Sequence, residues 1–153
     1  MSLTLADAVR DSFPPGMYRV IAMVERLDVG YALFDTNPTG QPYFYGVEYR
    51  RTDTGWTEGQ SGNGPGWFGG APDTRVGGMT AWDDAPPGAD RVRVKFQGQT
   101  YEEPVVDGAY FLVWWDVPVS EDWPVLSAVR INGQWQDSVG DWRTPWAPGS
   151  GAA

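Results

Sequence analysis

Along most of this chain apolar and polar residues alternate with a period of two, and only at its start do they not. There Leu5, Val9 and Phe13 fall at i, i+4 and i+8, the stripe of an amphipathic helix. Thr4, with Asp7 three residues on, supplies an N-cap, and Pro14-Pro15-Gly16 is a stop. The spacing predicts one short helix over residues 4–13, plugging the end of a sheet.

After Gly16 the period changes. Residues 17–27 place Tyr18, Val20, Ala22 and Val24 on one side and Arg19 and Glu25 on the other. A turn at Asp28–Gly30 leads to residues 31–35, and residues 43–51 set Tyr43, Tyr45, Val47 and Tyr49 against Phe44, Glu48 and Arg50. Three such runs joined by Gly, Pro and Asn turns read as an antiparallel meander.

The second half repeats this grammar. Arg91, Arg93 and Lys95 alternate with Val92, Val94 and Phe96, a strand with its basic row in water. Gln97-Gly98 turns it into residues 99–106, and Asp107-Gly108 is a type I′ hairpin signal leading into residues 109–117. That strand is apolar on both faces, Tyr110, Leu112 and Trp114 against Phe111, Val113 and Trp115, which predicts a central place. Residues 125–131 and 134–138 pair through Asn132-Gly133. The expected fold is an all-β antiparallel β-sandwich, Ig-like or a meander plus an Ig-like half, with a short N-terminal helix. As one domain it divides into the helix, a meander half over 17–68, an Ig-like half over 77–138 and a flexible tail over 140–153.

Composition narrows the chemistry. A chain of 153 residues has length enough for a sizeable core without staples. It has neither cysteine nor histidine, so thiol catalysis, disulfides, thiolate or imidazole metal sites and Ser–His–Asp triads are excluded. The formal charge of −9 disfavours nucleic acid, whose binding rests on neutralised phosphates, and anionic membrane surfaces. From Tyr101 onward eight acids face two arginines. The longest apolar run, AYFLVWW from Ala109, falls far short of the roughly 20 residues of a membrane span, so no membrane insertion is expected. The N-terminus has no signal-peptide pattern. The expected compartment stays open: cytoplasmic on the absence of that pattern, extracellular if a leader is removed.

Residues 55–70, GWTEGQSGNGPGWFGG, carry seven glycines in sixteen positions. A phosphate loop is excluded: Gly62, Gly64 and Gly66 are spaced G-x-G-x-G, Trp67 occupies the third required position, and no lysine or helix follows. The glycines are expected to form tight turns in a loop pinned by Trp56 and Trp67. Nine tryptophans allow a sugar-stacking reading in which Trp56, Trp67 and Trp82 act with Glu58, Asn63 and Asp83 as the ligand-binding set. Core packing is the competing use of the same rings.

The acids Asp83-Asp84, Asp116 and Glu121-Asp122 are placed in or beside loops, but none has hand-type calcium spacing, so no metal and no cofactor is expected. Paired carboxylates also permit a hydrolase that needs neither His nor Cys. In the tail, Trp142, Arg143 and Trp146 are candidate anchors for a protein partner or a twin chain in a homodimer.

The stretches GQSGNGPGW from Gly59, APPGADRVRV from Ala85 and PVVDGAYFLVWW from Pro104 resemble uncharacterised proteins of high-GC Gram-positive bacteria. The resemblance spans residues 17–130 and rests on turns and core strands. It implies a fold, and no activity or ligand. Many members of that group carry a secretion leader or membrane anchor ahead of the region, a pattern this sequence does not show, so the resemblance does not carry an extracellular site over to it. The functional expectation is a non-catalytic protein-interaction or assembly module, with small-ligand binding, glycan before calcium, as the alternative and a carboxylate hydrolase third.

Overall fold

The computed structural model describes residues 4–62, 66–68 and 76–137. Its helix, α1, spans Leu5–Arg10, with Thr4 as N-cap in an extended conformation. The Thr4 hydroxyl accepts from the Asp7 amide at 3.1 Å, and the Asp7 carboxylate accepts from the Thr4 amide at 3.3 Å. This reciprocal box satisfies two amides that a helix start leaves orphaned, and the Thr4 bond holds the Asp7 carboxyl below its usual range. The helix is shorter than residues 4–13. Ser12 donates its hydroxyl to the Ala8 carbonyl at 2.9 Å, a local bond that competes with continued helix. Phe13 lies beyond the last turn yet still packs on Phe34, with ring centroids 4.9 Å apart.

Strands β1 (Arg19–Arg26), β2 (Val29–Asp35), β3 (Phe44–Thr52) and β4 (Gly55–Gly62) form a meander in that order. Two features depart from the sequence reading. Residues 55–62 are a strand and not a loop. Within β1 the pairing slips by one residue, from Val20 opposite Phe34 to Ala22 opposite Leu33. A one-residue bulge reverses which side chains face which way. Tyr18 therefore joins the cluster under α1, while Ala22 and Val24 join the opposite core. Those four residues share no single face.

Strands β5 (Trp67–Phe68), β6 (Val76–Asp84) and β9 (Ala109–Pro118) make a second sheet, ordered β5-β6-β9. Strands β7 (Ala89–Phe96), β8 (Gln99–Pro104), β10 (Val125–Ile131) and β11 (Gln134–Asp137) make a third, ordered β11-β10-β7-β8. β6 includes Asp83 and Asp84, which the sequence reading placed in or beside loops. The hairpin turns match their signals: Gln97-Gly98, Asp107-Gly108 and Asn132-Gly133 all have positive φ at both residues, as a type I′ turn requires.

The layers stack as helix, meander, second sheet and third sheet. Leu5, Ala8 and Val9 pack on Ala32, Phe34, Val47, Tyr49 and Trp56. The meander's other face, with Tyr31, Leu33 and Phe44, meets Phe68, Trp82 and Ala109, with Phe111, Val113 and Trp115 against them. Met79, Ala81, Leu112 and Trp114 close on Val92, Val94, Phe96 and Val129 of the third sheet. Each large side chain fully buried this way contributes roughly 1.5–3 kcal/mol. β9 is apolar on both faces because it lies between two cores. The architecture is an all-β, sandwich-like stack of three antiparallel sheets with one short helix.

Candidate functional site

The glycine-rich strand β4 and its neighbour β3 build an unusual wall. Gly46 lies opposite Gly62 across the β3–β4 ladder, facing the second sheet. A Cβ on Gly46 would stand 1.9 Å from the Tyr31 hydroxyl oxygen and 2.7 Å from the ring carbon bearing it. A Cβ on Gly59 would stand 2.4 Å from a carboxylate oxygen of Glu48. Both glycines are required by close approach of a partner side chain. Gly62 is different: a Cβ there would meet nothing within 4 Å.

The space so kept holds a polar cluster inside the apolar layer between the meander and the second sheet. Tyr31 and Glu48 are directly opposite one another in register. Trp82 donates its indole N–H to the Tyr31 hydroxyl at 3.0 Å, in the buried interior. Thr80 also hydrogen-bonds Tyr31, and burial pushes the Tyr31 phenol above its ordinary value. Glu48 is only 2% exposed, and its carboxylate accepts from Arg50 Nε at 3.1 Å and Nη2 at 3.5 Å. A carboxylate buried to this degree has to be compensated, and the guanidinium fork does that. Thr80 anchors Gly66 through its hydroxyl at 3.2 Å and its amide at 3.0 Å.

This cluster floors a cleft of about 170 Å³, lined by Tyr31, Gly46, Glu48, Gln60, Gly62, Gly66 and Phe68, with Ser61 and Trp67 at its sides. Ser61 hydrogen-bonds Tyr45 at 3.1 Å on the helix-side face. Trp67 lies opposite Met79 in register and packs its indole edge-on to Phe96, in the core behind β5. The cleft therefore offers a carboxylate, a phenol, a side-chain amide and glycine backbone on one wall and the Phe68 ring on another. Pockets for drug-sized ligands run to roughly 300–1,000 Å³. This one suits a molecule nearer a single small ring, able to exchange hydrogen bonds with donors and acceptors together.

The residues singled out from sequence are not gathered at one place. Trp56 is 4% exposed in the helix–meander core, beneath the Arg51 guanidinium at 5.3 Å from its ring centroid. Trp82 is 2% exposed and its ring is committed to Tyr31 and the central core. Glu58 is exposed on β4 opposite Tyr49, on the helix-side face. Asp83 is buried in β6 and accepts from the Asp84 amide at 2.8 Å. Trp56 and Trp82 thus have no ring face open to stack a sugar, because packing of their large apolar area took precedence. Of the expected set, only Trp67 touches the cleft directly, and Trp82 supports it from behind. Asn63 and the tail residues Trp142, Arg143 and Trp146 lie outside the described residues.

Tyr31, Gly46, Glu48 and Gln60 escaped sequence reasoning. The available signal was a glycine in each of two adjacent strands beside an acid in an otherwise apolar run. Of the two other buried acids, Asp83 and Asp35, the more deeply buried Asp35 is structural. It accepts from the amides of Asn37 at 2.9 Å and Tyr43 at 3.1 Å and from Arg19 at 3.3 Å, closing the β2–β3 connection. Among the described residues no group of three or more acids is placed to hold a metal ion, and no helix is long and apolar enough to cross a membrane.

No family model matches the chain, and no curated protein or solved structure matches it either.

Proposed function

We propose that this chain is a small-ligand binding module whose cleft over Glu48 takes a neutral, hydroxyl-rich molecule of about the size of one sugar ring. The observation that carries the reading is the paired, buried Glu48 carboxylate at the floor of an open cleft, with the Tyr31 hydroxyl and the Glu48 carboxylate closely approaching Gly46 and Gly59. Carboxylate and guanidinium neutralise one another, which favours an uncharged ligand over an ion. Tyr31 and Gln60 supply further hydrogen-bonding groups, and the Phe68 ring supplies an apolar wall.

Gly62→Phe tests this directly. Gly62 lines the cleft and has open space where a Cβ would stand, so a bulky side chain there is introduced at the site without a clash at its root. In calorimetric titration with a monosaccharide and polyol panel, the native chain should bind a member and Gly62→Phe should not, at an unchanged thermal midpoint. Equal binding by both proteins would place the ligand elsewhere.

A second reading, a protein-interaction or assembly module, is favoured by the edge strand β1. Val20 and Met23 on its helix-side face are exposed, as are the flanking Met17 and Leu27. Exposed apolar side chains on a strand that is an edge among the described residues suit a partner. Sedimentation velocity across a hundredfold concentration range tests self-association, and Met23→Lys should abolish any dimer that uses this edge.

A further inference from the structure

A second groove, of about 380 Å³, lies between the β7–β8 hairpin and the segment that follows β9. Its prominent feature is Trp123, whose side chain is 45% exposed although its indole is large and apolar. The segment that carries it is tied to the β7–β8 hairpin. Gln97, at the hairpin tip with φ +48°, donates its side-chain amide to the Pro118 carbonyl at 2.9 Å and to the Ser120 hydroxyl at 3.3 Å. Ser120 in turn accepts from the Asp122 amide at 3.2 Å. The residue next to Trp123 is therefore tied through Ser120 to a residue held in the left-handed region, where a non-glycine residue is uncommon.

The polar residues around the indole include Lys95, Gln99, Thr100 and Asp122. One cation and one anion leave the groove without a dominant charge, while amide and hydroxyl groups provide donors and acceptors in several directions. A flat apolar face with such a rim suits the C–H face of a sugar ring and its equatorial hydroxyls better than it suits an ion or a nucleic acid.

Trp123 also connects this groove to the cleft. The six-membered edge of its ring lies 3.7–3.8 Å from where a Gly66 Cβ would stand, and Gly66 lines the cleft over Glu48. Gly66 of the cleft thus lies against the Trp123 ring of the groove, which puts the two sites side by side.

We propose that the Trp123 groove is a second saccharide subsite and that the ligand of this protein is an oligosaccharide, one unit in the cleft and a further unit stacked on Trp123. This rests on the reading of the cleft as a sugar site. Truncating an aromatic anchor at such a site should cost about tenfold or more in affinity.

The test is calorimetric titration of the full chain with glucose, N-acetylglucosamine and their β-1,4 oligomers, and with maltose oligomers, alongside Trp123→Ala, Trp123→Phe and Gly62→Phe. The expected result is affinity that rises about tenfold or more from monomer to oligomer in the native chain. Trp123→Ala should lose that gain and keep the monomer affinity, and Trp123→Phe should keep part of the gain. If the gain survives in Trp123→Ala, or if no oligomer binds more tightly than its monomer, the subsite is overturned and the cleft reading stands. If Gly62→Phe leaves monomer binding intact, or if the native chain binds none of these sugars, the cleft reading falls and the inference falls with it.

Discussion

Gly46→Ala sets two physical effects of opposite sign against each other. In an unobstructed strand, glycine to alanine stabilises by roughly 0.5–1 kcal/mol, because the unfolded chain loses freedom. At Gly46 the new methyl would lie 1.9 Å from the Tyr31 hydroxyl oxygen, and the atom it strikes belongs to a ring packed against Phe68 at 5.0 Å and Phe111 at 6.0 Å. Overpacking of this kind costs about 1–3 kcal/mol. Moving the phenol also breaks its bond from the Trp82 indole, and a buried donor left unpaired costs about 1–3 kcal/mol more. These costs sum to about 2–6 kcal/mol against the gain of about 0.5–1 kcal/mol, a net loss of about 1–5.5 kcal/mol, which at this chain length lowers the thermal midpoint by roughly 2–22 °C. Gly62→Ala is the matched control on the facing residue of the same ladder, where nothing lies within 4 Å. It should leave the midpoint unchanged or raise it slightly. Differential scanning calorimetry of the two variants decides the matter. In a Tyr31→Phe background the cost of Gly46→Ala should shrink, because the atom at 1.9 Å is gone and the nearest remaining contact is 2.7 Å. A Gly46→Ala midpoint within two degrees of the native protein would refute the account of the glycine wall.

Two further outcomes follow from strain and titration. Leu27 has φ +55° and is 79% exposed, so it carries left-handed strain with little burial to offset it. Leu27→Gly should stabilise by about 0.5–1 kcal/mol in urea unfolding, and a lowered midpoint would contradict this. Burial pushes the Tyr31 and Tyr49 phenols above the ordinary 10.0, so the folded state favours their protonated form. That contribution is complete below pH 10 and is lost as pH rises toward the folded values, giving alkaline destabilisation. In a spectrophotometric titration, a late phenolate phase should coincide with unfolding and diminish in Tyr31→Phe and Tyr49→Phe. A phase unaltered by both substitutions would refute the assignment.

The sequence was most informative where side chains carried the message. The hairpins at Asp107-Gly108 and Asn132-Gly133 were legible because each glycine follows an Asp or Asn that tolerates positive φ, and β9 was legible because the apolar run from Ala109 to Trp115 leaves no polar face. The helix was legible through the Thr4–Asp7 cap, but its end was not, since the Ser12 bond to Ala8 is a local choice that periodicity does not record. β4 was hidden because a period-two argument has nothing to act on at Gly55, Gly59 and Gly62. At Gly59 the reason lies in Glu48 of the neighbouring strand, whose carboxylate would meet a Cβ there. β6 was hidden likewise behind Gly77 and Gly78, where a Cβ on the latter would meet the Phe68 ring at 2.6 Å. The bulge at Ile21 adds no distinctive residue type, yet it moves Ala22 and Val24 into the central core. Tryptophans in strands with few other cues could not be divided between core and surface from sequence alone. Packing buried Trp56 and Trp82 and left Trp123, which sits in an irregular segment, on the surface.

The most direct test of the proposed function is amide chemical-shift mapping of the native chain and Gly62→Phe during titration with the tightest-binding saccharide of the panel. The account predicts shifts concentrated on the amides of Gly46, Glu48, Gln60, Gly62 and Gly66 in the native protein, and their loss in the variant. Shifts that leave those amides unmoved and fall on β1 or the helix instead would contradict it.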